Sequence, residues 1–362
     1  MTKSLAGELI LKVAVILFNL GGPDARENIE PFLMNFFMDK NIIGAPLPVR
    51  WALAKLISKR RSKREAGESY GFLNDRSPLL ANSEAQAQVL EDKLNSGKTD
   101  TSFKAFVCMS YWHPMADEVV RDVISWGADN IICLPLYPQY STTTTKTAFS
   151  YWDKAKKRAK CITPEIKIGC YPFDEGFIKA SAENVSKKLK KMKNARVLFS
   201  AHGLPEKIIK NGDPYQWQCE QSAAKIAKAA GLSKKDWQIC YQSRVGPLKW
   251  IGPSTEGALE QAAKDGKNAL IYPHAFTQEH VETLVELGIE YKELAEELGI
   301  KKYDVVETVG TSTSFIKGLS DIVEEALGKD AKVASSENKV YVCAKKRLCP
   351  PEFKNCPCVG IR

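Results

Sequence analysis

Four carboxylates, Glu279, Glu282, Glu286 and Glu290, recur at i, i+3, i+7 and i+11 in the stretch Phe276-Thr-Gln-Glu-His-Val-Glu-Thr-Leu-Val-Glu-Leu-Gly-Ile-Glu-Tyr291. On a helix turning 100° per residue they form one narrow stripe, with Val281, Leu284 and Val285 opposite. Carboxylates spaced this way repel unless solvent or a cation screens them. The stripe is therefore either the wet face of an amphipathic helix or a line able to carry protons or cations. Its position favours chemistry, because it follows directly on the apolar run 268–276, and open α/β sheets bind ligands at the carboxyl ends of their strands. The chain has four histidines. His280 falls in the first turn of the acidic helix, His274 at the end of the preceding run, and His202 at the end of another run, beside a glycine that lets backbone approach closely. A neutral imidazole takes a proton near neutral pH or binds a metal, and the carboxylate line does either. Neither His-Glu-x-x-His nor any standard zinc spacing is present.

The elements that must position these groups read as two similar halves. Lys12-Val-Ala-Val-Ile-Leu-Phe-Asn-Leu-Gly-Gly-Pro23, 103–114 and 130–138 look like strands that end in turn or proline-rich loops. Helices are expected at 26–37, 83–94 and 116–126. The second half repeats the plan with 196–205, 238–247 and 269–276, and 166–172 serves as a crossover strand. The rhythm predicts an α/β protein of two similar halves, each with three apolar strands in a parallel sheet, whose strand-end loops surround a shared cleft. The boundaries read as 12–165, 166–330 and a Cys-rich extension over 331–362. Aromatic and apolar residues near the strand ends (Leu20, Phe32, Tyr70, Phe72, Tyr111, Trp112, Tyr137, Trp250) are core by default, but gathered at one mouth they would suit a flat apolar ligand.

At 362 residues and a net charge of +9, the chain has basic runs at 55–64 and 154–160. These solvate a helix face or meet anionic lipid or substrate; no nucleic-acid-binding motif accompanies them. The Gly21-Gly22 turn lacks the G-x-G-x-x-G spacing and no Walker A sequence occurs, so no nucleotide cofactor is expected. Residues 141–147 are hydroxyl-rich, as for a capped helix N-terminus or an anion-binding loop. No run spans a bilayer and the N-terminus does not read as a secretory signal, which points to the cytoplasm. Of ten cysteines, four crowd the tail, and in a reducing compartment clustered thiols point to metal rather than disulfides.

Leu17-Phe-Asn-Leu-Gly-Gly-Pro23, Tyr111-Trp-His-Pro114, Leu136-Tyr-Pro-Gln-Tyr-Ser-Thr-Thr-Thr-Thr145, Phe199-Ser-Ala-His-Gly-Leu-Pro205, Gly212-Asp-Pro-Tyr215, the run 241–255 and Glu279-His-Val-Glu-Thr-Leu-Val-Glu-Leu287 follow one another in order and resemble ferrochelatase. The resemblance implies two Rossmann-like, doubly wound domains, each with a four-stranded parallel sheet, and insertion of Fe²⁺ into protoporphyrin IX, the last step of haem synthesis, at a cleft between them attached to a membrane surface. It further implies that His202 and Glu282 are the catalytic pair, contacting iron or accepting pyrrole protons. Glu279, His280, Glu286 and Glu290 match its polar line for metal or protons. Leu20, Tyr70, Ser77, Tyr111, Tyr137 and Trp250 match porphyrin-contacting positions. A homodimer is a further expectation. Alternatives are a chelatase for coproporphyrin III or cobalt, and a porphyrin- or metal-binding protein without catalysis.

The chain departs from the family pattern in three places: Ser110 replaces an arginine, Asn74-Asp-Arg76 replaces a glycine run before Ser77-Pro, and His274 stands where isoleucine is common. Arg76 is one candidate for the missing positive charge. The tail run Cys349-x₆-Cys356-x-Cys358 resembles cluster-bearing relatives, in which three such cysteines hold a [2Fe–2S] cluster. Cys343 or another cysteine must then supply the fourth ligand; zinc on the tail thiolates is the rival.

Overall fold

The computed structural model describes residues 2–3, 9–244, 248–328, 340–342 and 348–358. Ten strands are described: β1 (Thr2–Lys3), β2 (Leu9–Asn19), β3 (Thr101–Met109), β4 (Asn130–Pro135), β5 (Glu165–Ile168), β6 (Ala195–His202), β7 (Trp237–Gln242), β8 (Asn268–Tyr272), β9 (Tyr303–Val305) and β10 (Val340–Val342). They form two sheets flanked by helices, each with the expected core of four parallel strands. The first runs β3-β2-β4-β5 and the second β7-β6-β8-β9. β2 is an inner strand of the first sheet, paired on both sides, and Val13 to Leu17 are fully buried, as the continuous apolar run required of a strand covered on both faces.

Two features differ from expectation. The strand predicted to cross into the second half, β5, pairs with β4 and so belongs to the first sheet. Within the tail, β10 adds to β5 as a fifth parallel strand, and the short β1 lies antiparallel on the start of β2. The 22-residue helix Leu47–Glu68 was not anticipated, because its apolar residues do not lie on one inward face. Leu47, Val49, Trp51 and Leu56 are 49–67% exposed.

The strand-end loops of the two halves are tied across the cleft by a buried amide network. The Asn19 amide donates to Ser83 Oγ (3.0 Å) and to Gln278 Oε1 (3.2 Å). Gln86 donates to the carbonyls of Thr277 (2.9 Å) and Gly310 (2.7 Å), and Thr277 donates to the Leu136 carbonyl (2.7 Å). Buried polar groups that all find partners specify one arrangement of the elements they join. The network fixes the Leu20 side of the cleft against the acidic segment.

Candidate active site

β6 ends at His202, and the acidic segment brings Glu282 to it across 80 residues of sequence, His202 Nδ1 lying 2.9 Å from Glu282 Oε2. Both side chains are partly accessible, at 39% and 23%. Burial opposes the imidazolium, but the charge and hydrogen bond of Glu282, with Glu286 behind it, outweigh burial and the nearby Arg61 and raise the His202 pKa. Burial likewise pushes Glu282 up; His202 overrides it, helped by His280 and Ser243, and holds the carboxyl down at about 2. Glu286 goes the other way. Burial and the Glu282 charge raise it to about 7, against the hydrogen bonds of Ser243. Two neighbouring carboxyls are thus pushed apart, one charged and one poised near neutrality, a pattern typical of groups that exchange protons.

The predicted stripe is not one face of an α-helix. The chain is irregular through His280 and then winds as a π-helix, Glu282–Glu290, before continuing as the α-helix Tyr291–Glu297. With i→i+5 bonds each residue turns through less than an α-helical step, so side chains four apart drift round the axis. Glu282 and Glu286 face the β6–β7 strand ends, while Glu290 has rotated to the exposed surface. Glu279 lies outside the helix and is drawn elsewhere: its carboxylate accepts from the Thr308 N–H (2.7 Å), and its carbonyl from Asn82 (2.8 Å). His280 is buried against the Phe276 ring (4.5 Å), and burial lowers its pKa. His274 is no part of this group. It is fully buried beside Phe199, its Nε2 lies 3.2 Å from the Cys219 carbonyl, and burial brings its pKa down to about 4.

Two residues quoted in a motif but not singled out from sequence complete the site. Ser243, one residue past β7, donates its N–H to Glu286 Oε1 (2.8 Å) and its hydroxyl to Glu286 Oε2 (2.6 Å), and lies 3.3 Å from Glu282 Oε2. Gln242 Nε2 reaches Glu286 at 3.3 Å. Ser243 adopts φ +59°, a left-handed conformation uncommon for a residue with a Cβ. Strain of this kind persists where surrounding contacts enforce it.

Leu20, Tyr70 and Tyr111 pack in one cluster with Trp112 and, from the acidic segment, Val281. Tyr111 is sealed inside that cluster at 1% exposure, its hydroxyl donating to Asp39 (2.7 Å). Tyr137 and Ser77 are half-buried, and Trp250 flanks Gly203 on the His202 side. The departures have physical readings. Asn74 (φ 55°) and Asp75 (φ 58°) keep the left-handed backbone of a glycine loop, which these two residue types tolerate best after glycine. Ser110 is buried near the Tyr137 hydroxyl. The cation whose field reaches His202 is Arg61, on the helix Leu47–Glu68, whereas Arg76 is exposed.

Behind β5, Cys349, Cys356 and Cys358 pack with Cys170 and Tyr140 in a buried cluster. Gln218 donates to Cys349 Sγ (3.1 Å) and Cys170 Sγ (3.5 Å) while its own oxygen accepts from the Tyr140 N–H (2.8 Å). Burial raises the Cys170 thiol, and the hydrogen bond to Cys356, with burial, raises Cys349. Cys358 is disulfide-bonded, and Cys343 lies outside the described residues. Among the described residues, no group of three or more His, Cys, Asp or Glu surrounds a single ion-sized position.

The ferrochelatase family model matches residues 12–327. The chain belongs to the ferrochelatase family. It is 47% identical to the ferrochelatase of Pelagibacter ubique over 350 residues, covering 97% of this chain and 99% of that one. It is 46% identical to that of Caulobacter vibrioides over 351 residues (96% and 97%), and 41% identical to that of Rickettsia bellii over 350 residues (96% and 95%). In fold it is similar to SirB from Bacillus subtilis with Fe³⁺, with a TM-score of 0.52 and 12% identity over 91% of this chain and all of that one. The chain is thus a metal chelatase, a lyase of haem biosynthesis, in a family that acts on a porphyrin and ferrous iron. Among the described residues no helix is long and apolar enough to cross a membrane.

Proposed function

We propose that the chain inserts Fe²⁺ into protoporphyrin IX, giving protohaem and two protons. The observation that carries this reading is the His202–Glu282 pair, 2.9 Å apart, with Glu286 directly behind it. Metal insertion must strip two pyrrole protons, and general bases within reach of them lower that barrier. His202 is the base nearest the cleft and Glu282 stabilises the imidazolium that forms; Glu286 is poised to hold a proton near neutral pH. Leu20, Tyr70 and Val281 wall the apolar side, and Arg61 supplies positive charge suited to a porphyrin carboxylate. The test is haem formation by the purified chain given Fe²⁺ with protoporphyrin IX and with coproporphyrin III in parallel. Protohaem should form faster; preference for coproporphyrin would reassign the substrate, and metallation of neither would defeat the reading.

The exposed Leu47, Val49, Trp51 and Leu56, on one helix with exposed Lys55, Lys59 and Arg60, support attachment to an anionic membrane surface, where an apolar porphyrin partitions. Replacing Trp51 and Leu56 by serine should weaken sedimentation with anionic vesicles about tenfold or more, since each apolar side chain removed from lipid costs about 1.5–3 kcal/mol. Unchanged sedimentation would remove this helix from the contact.

Cys170, Cys349, Cys356 and Cys358 suit a [2Fe–2S] cluster, which takes four thiolates in two pairs and so needs no three-ligand convergence on one point. Cys358 would join on reduction of its disulfide. When bound, the cluster would supply one-electron redox chemistry. The reading predicts visible absorption that Cys170→Ser and Cys356→Ser each abolish; a colourless protein carrying zinc would overturn it.

A further inference from the structure

Two hydroxyls in the site each face two carboxyl groups. Ser243 Oγ lies 3.3 Å from Glu282 Oε2 and 2.6 Å from Glu286 Oε2. Farther out, the buried Tyr291 hydroxyl lies 3.2 Å from Glu286 Oε1 and 3.3 Å from Glu256 Oε1. A hydroxyl has one hydrogen and two lone pairs, so it cannot donate to two carboxylates at once. Each contact pair is satisfied only when one of the two carboxyls carries a proton and donates it to the hydroxyl oxygen, while the hydroxyl donates to the other. That is the arrangement of a proton wire. Its far end, Glu256, sits in the first turn of the helix Thr255–Lys264 and is half-buried, within reach of water.

We propose that protons stripped from the porphyrin leave through Glu282, Ser243, Glu286, Tyr291 and Glu256, crossing from the π-helix to the neighbouring helix instead of running along the acidic stripe to Glu290. The inference rests on the insertion reaction proposed above and names its proton exit. In one passage, the His202 imidazolium gives its Nδ1 proton to Glu282 Oε2, and Glu282 passes a proton to Ser243 Oγ as the Ser243 hydrogen moves to Glu286 Oε2. The proton held on Glu286 Oε1 moves to the Tyr291 oxygen as the phenolic hydrogen moves to Glu256. Glu282 ends charged, Glu256 ends neutral, both hydroxyls are restored, and Glu286 keeps one proton throughout. Rotation of the Glu286 carboxyl then resets the wire, and Glu256 releases its proton to solvent. No oxidant or further reactant enters. Ser243 and Tyr291 are positioning residues here, since they act through the carboxyls.

The π winding explains why the route leaves the helix. Glu290 has turned to the exposed face, while Tyr291, the next residue, points back into the core beside Glu286. The left-handed φ of Ser243 serves the same end, because it lets one residue aim both its N–H and its hydroxyl at a single carboxyl.

The test compares initial rates of insertion in H₂O and D₂O for the wild-type chain, Tyr291→Phe, Ser243→Gly, Ser243→Thr and Glu290→Gln. Phenylalanine keeps the ring and glycine accepts the left-handed backbone, so both remove a hydroxyl with little burden on folding. Each should lower kcat about tenfold, less than the ~10²–10⁴-fold of a group that itself takes the substrate proton, and enlarge the solvent isotope effect, with KM for porphyrin unchanged. Threonine restores a hydroxyl, so the isotope effect should return to the wild-type value, while the strain of a β-branched residue at φ +59° keeps kcat below wild type. Wild-type kcat and isotope effect in Tyr291→Phe would overturn the route, as would slowing confined to Glu290→Gln. A wild-type chain that metallates no porphyrin would instead defeat the insertion reading itself.

Discussion

Alanine at position 202 is expected to slow iron insertion by about 10²–10⁴-fold, the range associated with loss of a positioned general base. The effect should be large because the substitution disables two groups. The first loss is the imidazole itself. The second is Glu282, whose carboxyl is held down at about 2 chiefly by the His202 charge and hydrogen bond working against burial. Without that partner, burial prevails and the carboxyl moves upward, toward a neutral acid that accepts no proton. Porphyrin affinity should change little, because the wall formed by Leu20, Tyr70 and Val281 does not rest on His202. The loss therefore belongs in kcat and not in KM. Haem absorbance gives the rate and quenching of tryptophan fluorescence the affinity. A variant retaining a tenth of the wild-type rate would remove His202 from the chemistry.

The same site shows what sequence can and cannot carry. That His202 meets the acidic segment was legible because His202 ends one apolar run and the segment follows another, and strand ends in open α/β sheets converge; the choice of Glu282 came from the resemblance. The strand β2 was legible for a related reason: a run buried on both faces has little choice of residue type. The fate of Glu279 and Glu290 was not legible, because an α-helical period places all four carboxylates together, and nothing local in 279–290 announces π winding or the capture of Glu279 by the Thr308 N–H. Ser243 escaped notice as a small polar residue in a loop, and its weight comes only from lying beside two carboxyls some 40 residues away. Cys170 lies far in sequence from the tail thiols, and tertiary packing alone reveals the neighbourhood. The helix Leu47–Glu68 was hidden because outward-facing apolar residues break the amphipathic pattern by which buried helices are recognised.

The glycine after His202 carries the second large prediction. From sequence, Gly203 reads as room for backbone to approach a ligand. What it admits in this structure is another strand, for its N–H donates to the Gln242 carbonyl at 2.8 Å, and a Cβ would sit 2.7 Å from that oxygen, 3.3 Å from Arg244 Cγ and 3.4 Å from the Trp250 ring. The first contact is with backbone, so no side-chain rotation relieves it. In Gly203→Ala the ends of β6 and β7 must separate, and they carry His202 on one side and the Gln242–Ser243 pair on the other. Overpacking of this kind typically costs about 1–3 kcal/mol of stability, enough to lower the melting temperature by several degrees without unfolding the chain. Catalysis should suffer more. A displacement approaching 1 Å between groups that must act together costs about 10²-fold, and His202 and Ser243, on opposite sides of this junction, must both reach Glu282 Oε2. The expected result is a folded protein with kcat reduced about 10²-fold. Gly22→Ala is a useful contrast, because its Cβ would lie 2.5 Å from the side chain of Ser77, away from the strand junction. If Gly203→Ala inserts iron at the wild-type rate, the junction tolerates movement that the proposed mechanism forbids. The requirement for close register between His202 and Ser243 would then be wrong.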